Sequence, residues 1–469
     1  MADIVKSLGC VSICFILIGL GSVGAAEQSS GWKAGVARID TTPSKPVRMA
    51  GYASRTSLSQ GVAHSLAAKA LALADASDHK VVFVTCDIIA FRRTFTNRVA
   101  DRVKAKYGLP REDVVLFASH NHAGPSPIES KSSTGSGANS PPSDGLENNI
   151  AYTIELENKI VDLIGDAIAR MQPASLSYGI GRAHFALNRR EPVGSGIKLG
   201  KNPSGPTDES VPILQVQGAN GKPLAIVFGY ACHNTTLRPD MMKIAADFAG
   251  FAQDRIEADY PGAIALFVTG CAGDADPHPF GTLEMAKNHG EELGDAVKFV
   301  LDHPTWMANL TGPLRAAFME TTIHFGGPTD RASYEKRLND PNRGRQGHAK
   351  RMIELIDQGQ PVLADYPHYS VHAFALGDQL TLVALSGEVV VDYAIRLLKE
   401  LGGENRTLWV AAYANDVIGY IPSVRVLKEG GYEGGDSFHG STWPTPLAED
   451  IESFVVNAAH EVVERVRKK

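Results

Sequence analysis

The chain is short of cysteine, of positive charge and of long apolar runs, and each shortage removes a class of function. Five cysteines among 469 residues are too few for a disulfide framework. Cys10 and Cys14 fall in the amino-terminal apolar run, while Cys86, Cys232 and Cys271 occupy apolar, strand-like positions and read as buried thiols, with one bridge left open. The formal net charge is −6 and no Lys/Arg-rich run recurs, which excludes a nucleic-acid partner. The one marked apolar run, Val11 to Leu20, is short for a membrane span. Lys6 precedes it and the small residues Gly21 to Ala26 follow, the order of a secretory signal. The mature chain is therefore expected to start near Ala26 or Glu27 and to be secreted or periplasmic; an uncleaved anchor is the alternative. No internal repeat and no linker interrupts residues 27–469, which points to a single domain large enough for a substantial core.

What is present is an alternation of buried strands and helices. Lys80 to Asp87 reads as a strand, Phe91 to Tyr107 as a helix stopped by Gly108, and Val114 to Ala118 as a second strand. Strand, helix, strand makes the two strands parallel neighbours. Ala63 to Ala74 fits strand or helix equally. Ser126 to Asn149, rich in Ser, Gly and Pro, reads as a long loop beside the site, a lid in function, and Ile150 to Met171 as a helix. A hairpin at Asn220-Gly221, a helix from Asp247 to Asp259, a strand at Ala263 to Thr269 and a charged, exposed helical stretch from Arg331 to Gln358 follow. The fold class is α/β, a large mixed β-sheet core flanked by helices, with the site at the carboxyl ends of strands.

Those ends carry the chemistry. Ser119-His120-Asn121-His122 follows one strand, and residues two apart in a strand share a face. Cys232-His233-Asn234-Thr235 follows a second, Gly270 to Pro279 a third, and Ser386-Gly387-Glu388 a fourth. Histidines plus a carboxylate from separate strand ends suit a catalytic zinc ion, which activates water and polarises a carbonyl at neutral pH. His-Glu-x-x-His is absent, and so is the Gly-x-Ser-x-Gly elbow of a serine hydrolase. Asn188-Arg189-Arg190 is either a solvated charge pair or a ligand clamp, and Asp274, Asp276 and His278 offer an alternative second metal site.

The ordered set Ala118 to Pro125, Ala231 to Thr236, Ser386-Gly387-Glu388, Asn415-Asp416-x-x-Gly419-Tyr420 and Tyr432-Glu433-Gly434, with Gly51-Tyr52-Ala53 and Asn188-Arg189, resembles the motif blocks of neutral/alkaline non-lysosomal ceramidases. The resemblance runs from about residue 33 to the end. It covers that family's catalytic domain without its usual carboxy-terminal immunoglobulin-like domain. It implies a secreted zinc-dependent hydrolase cleaving the N-acyl amide of a ceramide-like lipid, with Zn²⁺ as cofactor, room for peripheral contact with membrane lipid and no obligate protein partner. It further implies that His120, His233, Glu388 and Tyr420 ligate the zinc, while His122, Arg189 and Tyr432 surround the amide and its developing oxyanion. One position departs from the pattern: Asp276 stands where the family has a nucleophilic serine. A carboxylate there suits a general base on metal-activated water. The same departure keeps two alternatives open, a zinc hydrolase of another amide, ester or glycan-linked bond, and a catalytically silent binding protein.

Overall fold

The computed structural model describes residues 31–130, 145–403, 407–441 and 443–468. The signal segment and most of the expected lid (131–144) lie outside the described residues. The strands are β1 (Trp32–Asp40), β2 (Ala67–Ala74), β3 (Lys80–Cys86), β4 (Val114–Ala118), β5 (Gln172–Arg182), β6 (Ala186–Asn188), β7 (Arg190–Val193), β8 (Gly196–Leu199), β9 (Ser210–Gly218), β10 (Pro223–Tyr230), β11 (Ile264–Thr269), β12 (Ala275–Pro277), β13 (Ala308–Leu310), β14 (Leu314–His324), β15 (Asp365–Leu376), β16 (Leu380–Leu385), β17 (Glu388–Val389), β18 (Thr407–Ala411) and β19 (Tyr420–Ile421). The helices are α1 (Arg93–Tyr107), α2 (Leu146–Ala169), α3 (Asp247–Asp259), α4 (Leu283–Leu301), α5 (Arg331–Glu335), α6 (Arg343–Asp357), α7 (Val391–Leu401), α8 (Val424–Glu429), α9 (Gly431–Gly434) and α10 (Ile451–Arg467).

The expected mixed sheet is there, but a second sheet packs on it. The larger runs β11-β10-β9-β5-β1-β2-β3-β4, with β13 beside β5; the smaller runs β14-β15-β16-β18. Side-chain alternation explains the layering. In β2, Ala68, Ala70 and Ala72 join the cluster under α1 and α2, whereas Leu71 and Leu73 join Phe374, Leu382 and Trp409 of the other sheet. In β15 and β16, Ala373 and Val383 turn instead to the cluster formed with α7 and α10. Two helical layers thus enclose two sheets, and strands such as β2, β3, β4 and β16 are buried along nearly their whole length. That is why β2 shows no polar alternation and could not be separated from a helix by period. A small residue of the neighbouring strand lets a helix approach closely: at Gly35 of β1 an added Cβ would lie 2.1 Å from Ala167 O of α2.

Strands β3 and β4 are parallel with α1 between them, as the sequence predicts, and β10 and β11 repeat the arrangement around α3. The stretch 331–358 is not one helix but two, α5 and α6. β14 and β15, the long antiparallel pair of the smaller sheet, were not read from the sequence. Cys86, Cys232 and Cys271 are buried free thiols. Among the described residues, no helix is long and apolar enough to cross a membrane.

His79 joins the two sheets. Its Nε2 lies 3.0 Å from Asp113 Oδ1 and its Nδ1 3.1 Å from Leu314 O, so both nitrogens face acceptors and the imidazolium satisfies both. The hydrogen bond to Asp113 is the main cause that raises its pKa to about 9. A folded-state value above the unfolded one gives stability that is fully present below about pH 6.5. It is lost as pH rises through about 9. His79→Gln is expected to flatten that part of the stability profile, read by urea unfolding of both proteins at pH 6 and pH 10; parallel profiles would contradict it.

Candidate active site

Segments that follow β4 and β10 meet the first residues of β17 and β19. After β4 the chain leaves the strand at Ser119, and His120 takes a left-handed conformation with φ of 56°. Strand alternation therefore does not bring the histidines together as expected; the backbone turn at His120 does. The Nε2 atoms of His120 and His122 lie 3.1 Å apart. His233 follows β10, and its ring centroid is 4.7 Å from that of His120. His120, His122 and His233 are buried, and their ligand atoms lie within 4.8 Å of one another, a cluster able to hold a metal ion. Glu388 Oε2 sits 3.1 Å from His120 Nε2 and 3.2 Å from His233 Nε2. Tyr420 OH is 3.4 Å from His233 Nε2. Glu388 and Tyr420 are register partners in the two-residue parallel ladder β17–β19, which puts both side chains on one face.

Backbone carbonyls orient both histidines. His120 Nδ1 lies 2.8 Å from Ile89 O and His233 Nδ1 2.6 Å from Ala272 O, contacts that suit donation from Nδ1 and turn each Nε2 toward Glu388. Burial would raise the Glu388 carboxyl, but His120 and His233 beside it hold it well below the usual carboxylate range. Burial and the neighbouring His120 keep His122 neutral, its pKa well below the usual value. Burial raises the Tyr420 phenol against the pull of Arg189. Two imidazole nitrogens, a carboxylate oxygen and a phenol oxygen are a donor set that fits a metal ion, with His122 at its edge.

Arg189 forms the other side. It is buried, not a solvated surface cation. Nε donates to Glu433 at 2.7 Å, Nη1 to Asp276 at 3.0 Å, and Nη2 to Gly273 O and to Tyr420 OH, both at 2.9 Å. Among the described residues, partners take four of its five N–H groups and leave one, on Nη1, for a substrate. Arg190 takes the second oxygen of Glu433 at 2.8 Å. Asp276 lies in β12, opposite Leu187 of β6, and its Oδ1 also accepts from Thr235 Oγ1 at 3.3 Å. Burial pushes this carboxyl up, but Arg189 and His233 outweigh it and hold it below the ordinary value. Tyr432 is 39% exposed, with its ring 5.3 Å from that of Tyr420, at the mouth and not in the core.

The alternative second metal site does not form. Asp274 is fully buried, accepting from Val391 N at 2.8 Å at the start of α7 and from Asn188 Nδ2 at 3.1 Å, and His278 Nε2 faces Lys201 Nζ at 3.1 Å. A lysine cation at that distance repels a metal. Sequence reasoning missed the partners that hold the site. Glu433 stood inside a quoted block, and two adjacent arginines were the signal that a buried carboxylate must answer them. Arg55 gathers carbonyls, donating to Ala50 O at 2.8 Å, to Met241 O at 3.1 Å and to His122 O. Tyr413 sets its ring 4.5 Å from that of His120.

Gly51, quoted within Gly51-Tyr52-Ala53, supports the site in a way its motif did not reveal. Its φ is +88°, and an added Cβ would lie 2.2 Å from His122 Nδ1. Gly51→Ala is therefore expected to be more destabilising than Gly108→Ala, where φ is +74° and no atom lies within 4 Å. The Gly108 change costs conformational strain alone, about 1–2 kcal/mol. Urea unfolding of both variants checks this; equal losses would mean that His122 yields freely.

Comparisons with known proteins bear on the family and the fold. The sequence model of the neutral/alkaline non-lysosomal ceramidase N-terminal region matches residues 32–293. Neutral ceramidase 2 of Arabidopsis thaliana is 35% identical over 94 residues, 19% of this chain and 12% of that protein. Neutral ceramidase B of Dictyostelium discoideum is 24% identical over 276 residues, 55% of this chain and 37% of that protein. The matched stretches thus span well under half the length of these curated relatives. Among solved structures, a ceramidase complexed with C2 superposes with a TM-score of 0.69 at 20% identity, covering 94% of this chain and 76% of that one. Neutral ceramidase from Pseudomonas aeruginosa gives 0.68 at 19%, covering 94% and 75%. These likenesses are of fold. Because the family match takes in more than half of the chain, including His120, His122, Arg189, His233 and Asp276, the chain belongs to the neutral/alkaline non-lysosomal ceramidase family.

Proposed function

We propose that this member of a hydrolase family is a zinc-dependent amidohydrolase that cleaves an N-acyl amide bond, with His120, His233, Glu388 and Tyr420 as the residues that would hold Zn²⁺. The observation that carries the reading is the pair of Nδ1–carbonyl hydrogen bonds on His120 and His233, which aim both Nε2 atoms at the Glu388 carboxylate. When bound there, the ion supplies Lewis acidity toward a carbonyl and toward water. The chain supplies the rest. Neutral His122 offers an N–H donor to the developing oxyanion, Arg189 offers its remaining Nη1 hydrogen, and Tyr432 covers the mouth. Asp276, kept ionised by Arg189 and anchored through Oδ1, is the acceptor for a water proton. Its Oδ2 has no hydrogen-bond partner among the described residues and is the oxygen free for this task. With a lowered pKa it is a weaker base than an unpaired carboxylate, so its orienting role weighs as much as its basicity. A ceramide-like lipid is the family default and the first compound to assay, and the leader pattern supports a secreted or periplasmic enzyme.

Metal content of the purified protein and release of fatty acid from ceramides, with and without chelator, test the reading. One zinc per chain and chelator-sensitive release are expected; no metal and no release would overturn it. Asp276→Asn is expected to lower kcat by about 10²–10⁴-fold. Its metal content should stay unchanged, and a rate within a few-fold of wild type would remove Asp276 from the reaction.

A further inference from the structure

Arg238 is a cation without an anion. It lies half-buried on the segment that follows His233, and among the described residues its guanidinium makes no hydrogen bond and meets no carboxylate. Rings hold it instead: Cζ is 4.2 Å from the ring centroid of Phe280 and 5.9 Å from that of Tyr52. The backbone beneath it is fixed. Arg238 O accepts from Arg55 Nη2 at 3.2 Å and from Met241 N at 3.0 Å, while Leu237 O accepts from Tyr52 OH at 3.1 Å and Leu237 N donates to Asp247 at 2.8 Å. A stacked, anchored guanidinium keeps its N–H edge for a planar, bidentate acceptor and loses little freedom on binding one.

Its place ties it to the reacting groups. The Tyr52 ring that meets Arg238 is also 5.0 Å from the His122 ring. Burial pushes the Asp276 carboxyl up, and Arg238 joins Arg189 and His233 in holding it below the ordinary value. This edge of the site is open, since the Asp276 side chain is 23% exposed and Phe280 is an exposed aromatic. A second cation stands past Phe280. The His278 ring is 6.1 Å from the Phe280 ring and accepts from Lys201 Nζ at 3.1 Å, and Lys201 is exposed with no carboxylate partner among the described residues. Asp276 spends Oδ1 on Arg189 and Thr235. An anionic substrate group brought to this edge would be repelled by Asp276 unless cations were held ready for it, and two are.

We propose that Arg238, supported by Lys201, binds a carboxylate that the substrate carries beside its scissile amide, so that the preferred substrate is an anionic amide such as an N-acyl amino acid and not a neutral ceramide. The proposal rests on the amidohydrolase reading and narrows its substrate class.

The test uses the metal-replete full chain and two pairs of amides. N-hexanoylglycine and N-hexanoylglycinamide put the carboxylate or its neutral isostere on the amine half, read by release of hexanoic acid. N-butylsuccinamic acid and N-butylsuccinamide put it on the acyl half, read by release of butylamine. In at least one pair kcat/KM is expected to be about tenfold or more higher for the acid, the worth of a charge-assisted hydrogen bond, with the difference in KM. The preference should shrink as salt is raised. Arg238→Met should abolish it, Arg238→Lys should keep part of it, and Lys201→Met, a change to an exposed side chain, should weaken it. Neutral members cleaved as well as the acids in both pairs, or a preference that Arg238→Met leaves intact, would overturn the proposal. If no amide is hydrolysed, the amidohydrolase reading fails, and the anion site is then judged by saturation-transfer NMR of N-benzoylglycine against N-benzoylglycinamide. Binding of the acid that Arg238→Met abolishes upholds the site; no binding, or binding that the variant leaves unchanged, overturns it.

Discussion

A single buried guanidinium holds the polar half of the site together. Arg189 reaches Asp276 in β12, Gly273 on the turn after β11, Tyr420 in β19 and Glu433 in α9, so segments far apart in sequence meet on one side chain. Taking that cation out of water is expensive unless its partners are all present. Arg189 and Arg190 share the Glu433 carboxylate, and Asp276 supplies further negative charge. Loss of any one member strands the others, so the network is satisfied as a unit.

The histidine half, where a metal ion would bind, is organised by a different force. His120 and His233 are oriented by backbone carbonyls, at Ile89 and Ala272, and not by charge. Carbonyl partners fix the tautomer without adding a competing charge beside an incoming cation. Tyr420 is where the halves touch, its hydroxyl between Arg189 Nη2 and His233 Nε2. Asp276 fits this division. An anion in place of the family's serine sits on the cationic side, where Arg189 stabilises it, and away from the carbonyl-lined side, where it would be unanswered.

The sequence made the strand ends legible because apolar runs that terminate in polar residues carry a strong local signal. β3, α1, β4, β10, α3 and β11 all stand where that signal puts them. The second sheet was hidden for a physical reason: β14 and β15 carry mixed residues such as Arg315, Glu320 and His372, whose places are settled by tertiary partners and not by period. In the same way, His120 and His122 converge through a left-handed turn that no alternation rule anticipates. Arg189 was visible as a residue but not as a buried one, since the Glu433 that neutralises it lies far along the chain. Ligand sets assembled from several strands leave no spacing to read; only the ordered blocks, compared with a family, supplied Tyr420.

The two-residue ladder β17–β19 has one more consequence. Its pairing of Glu388 with Tyr420 and Val389 with Ile421 places the Glu388 carboxylate and the Tyr420 hydroxyl, the two oxygens proposed as donors, at once, independently of the length of chain between them. α7 and β18 occupy that intervening stretch, and their outer ends can gain or lose residues without disturbing the donors as long as the four ladder residues meet in register. Evolutionary drift in length should therefore accumulate around residue 403, where α7 gives way to β18, and be absent from residues 386–389 and 419–421. Donor geometry and chain length are decoupled there, and relatives can carry the same donor pair on segments of different length.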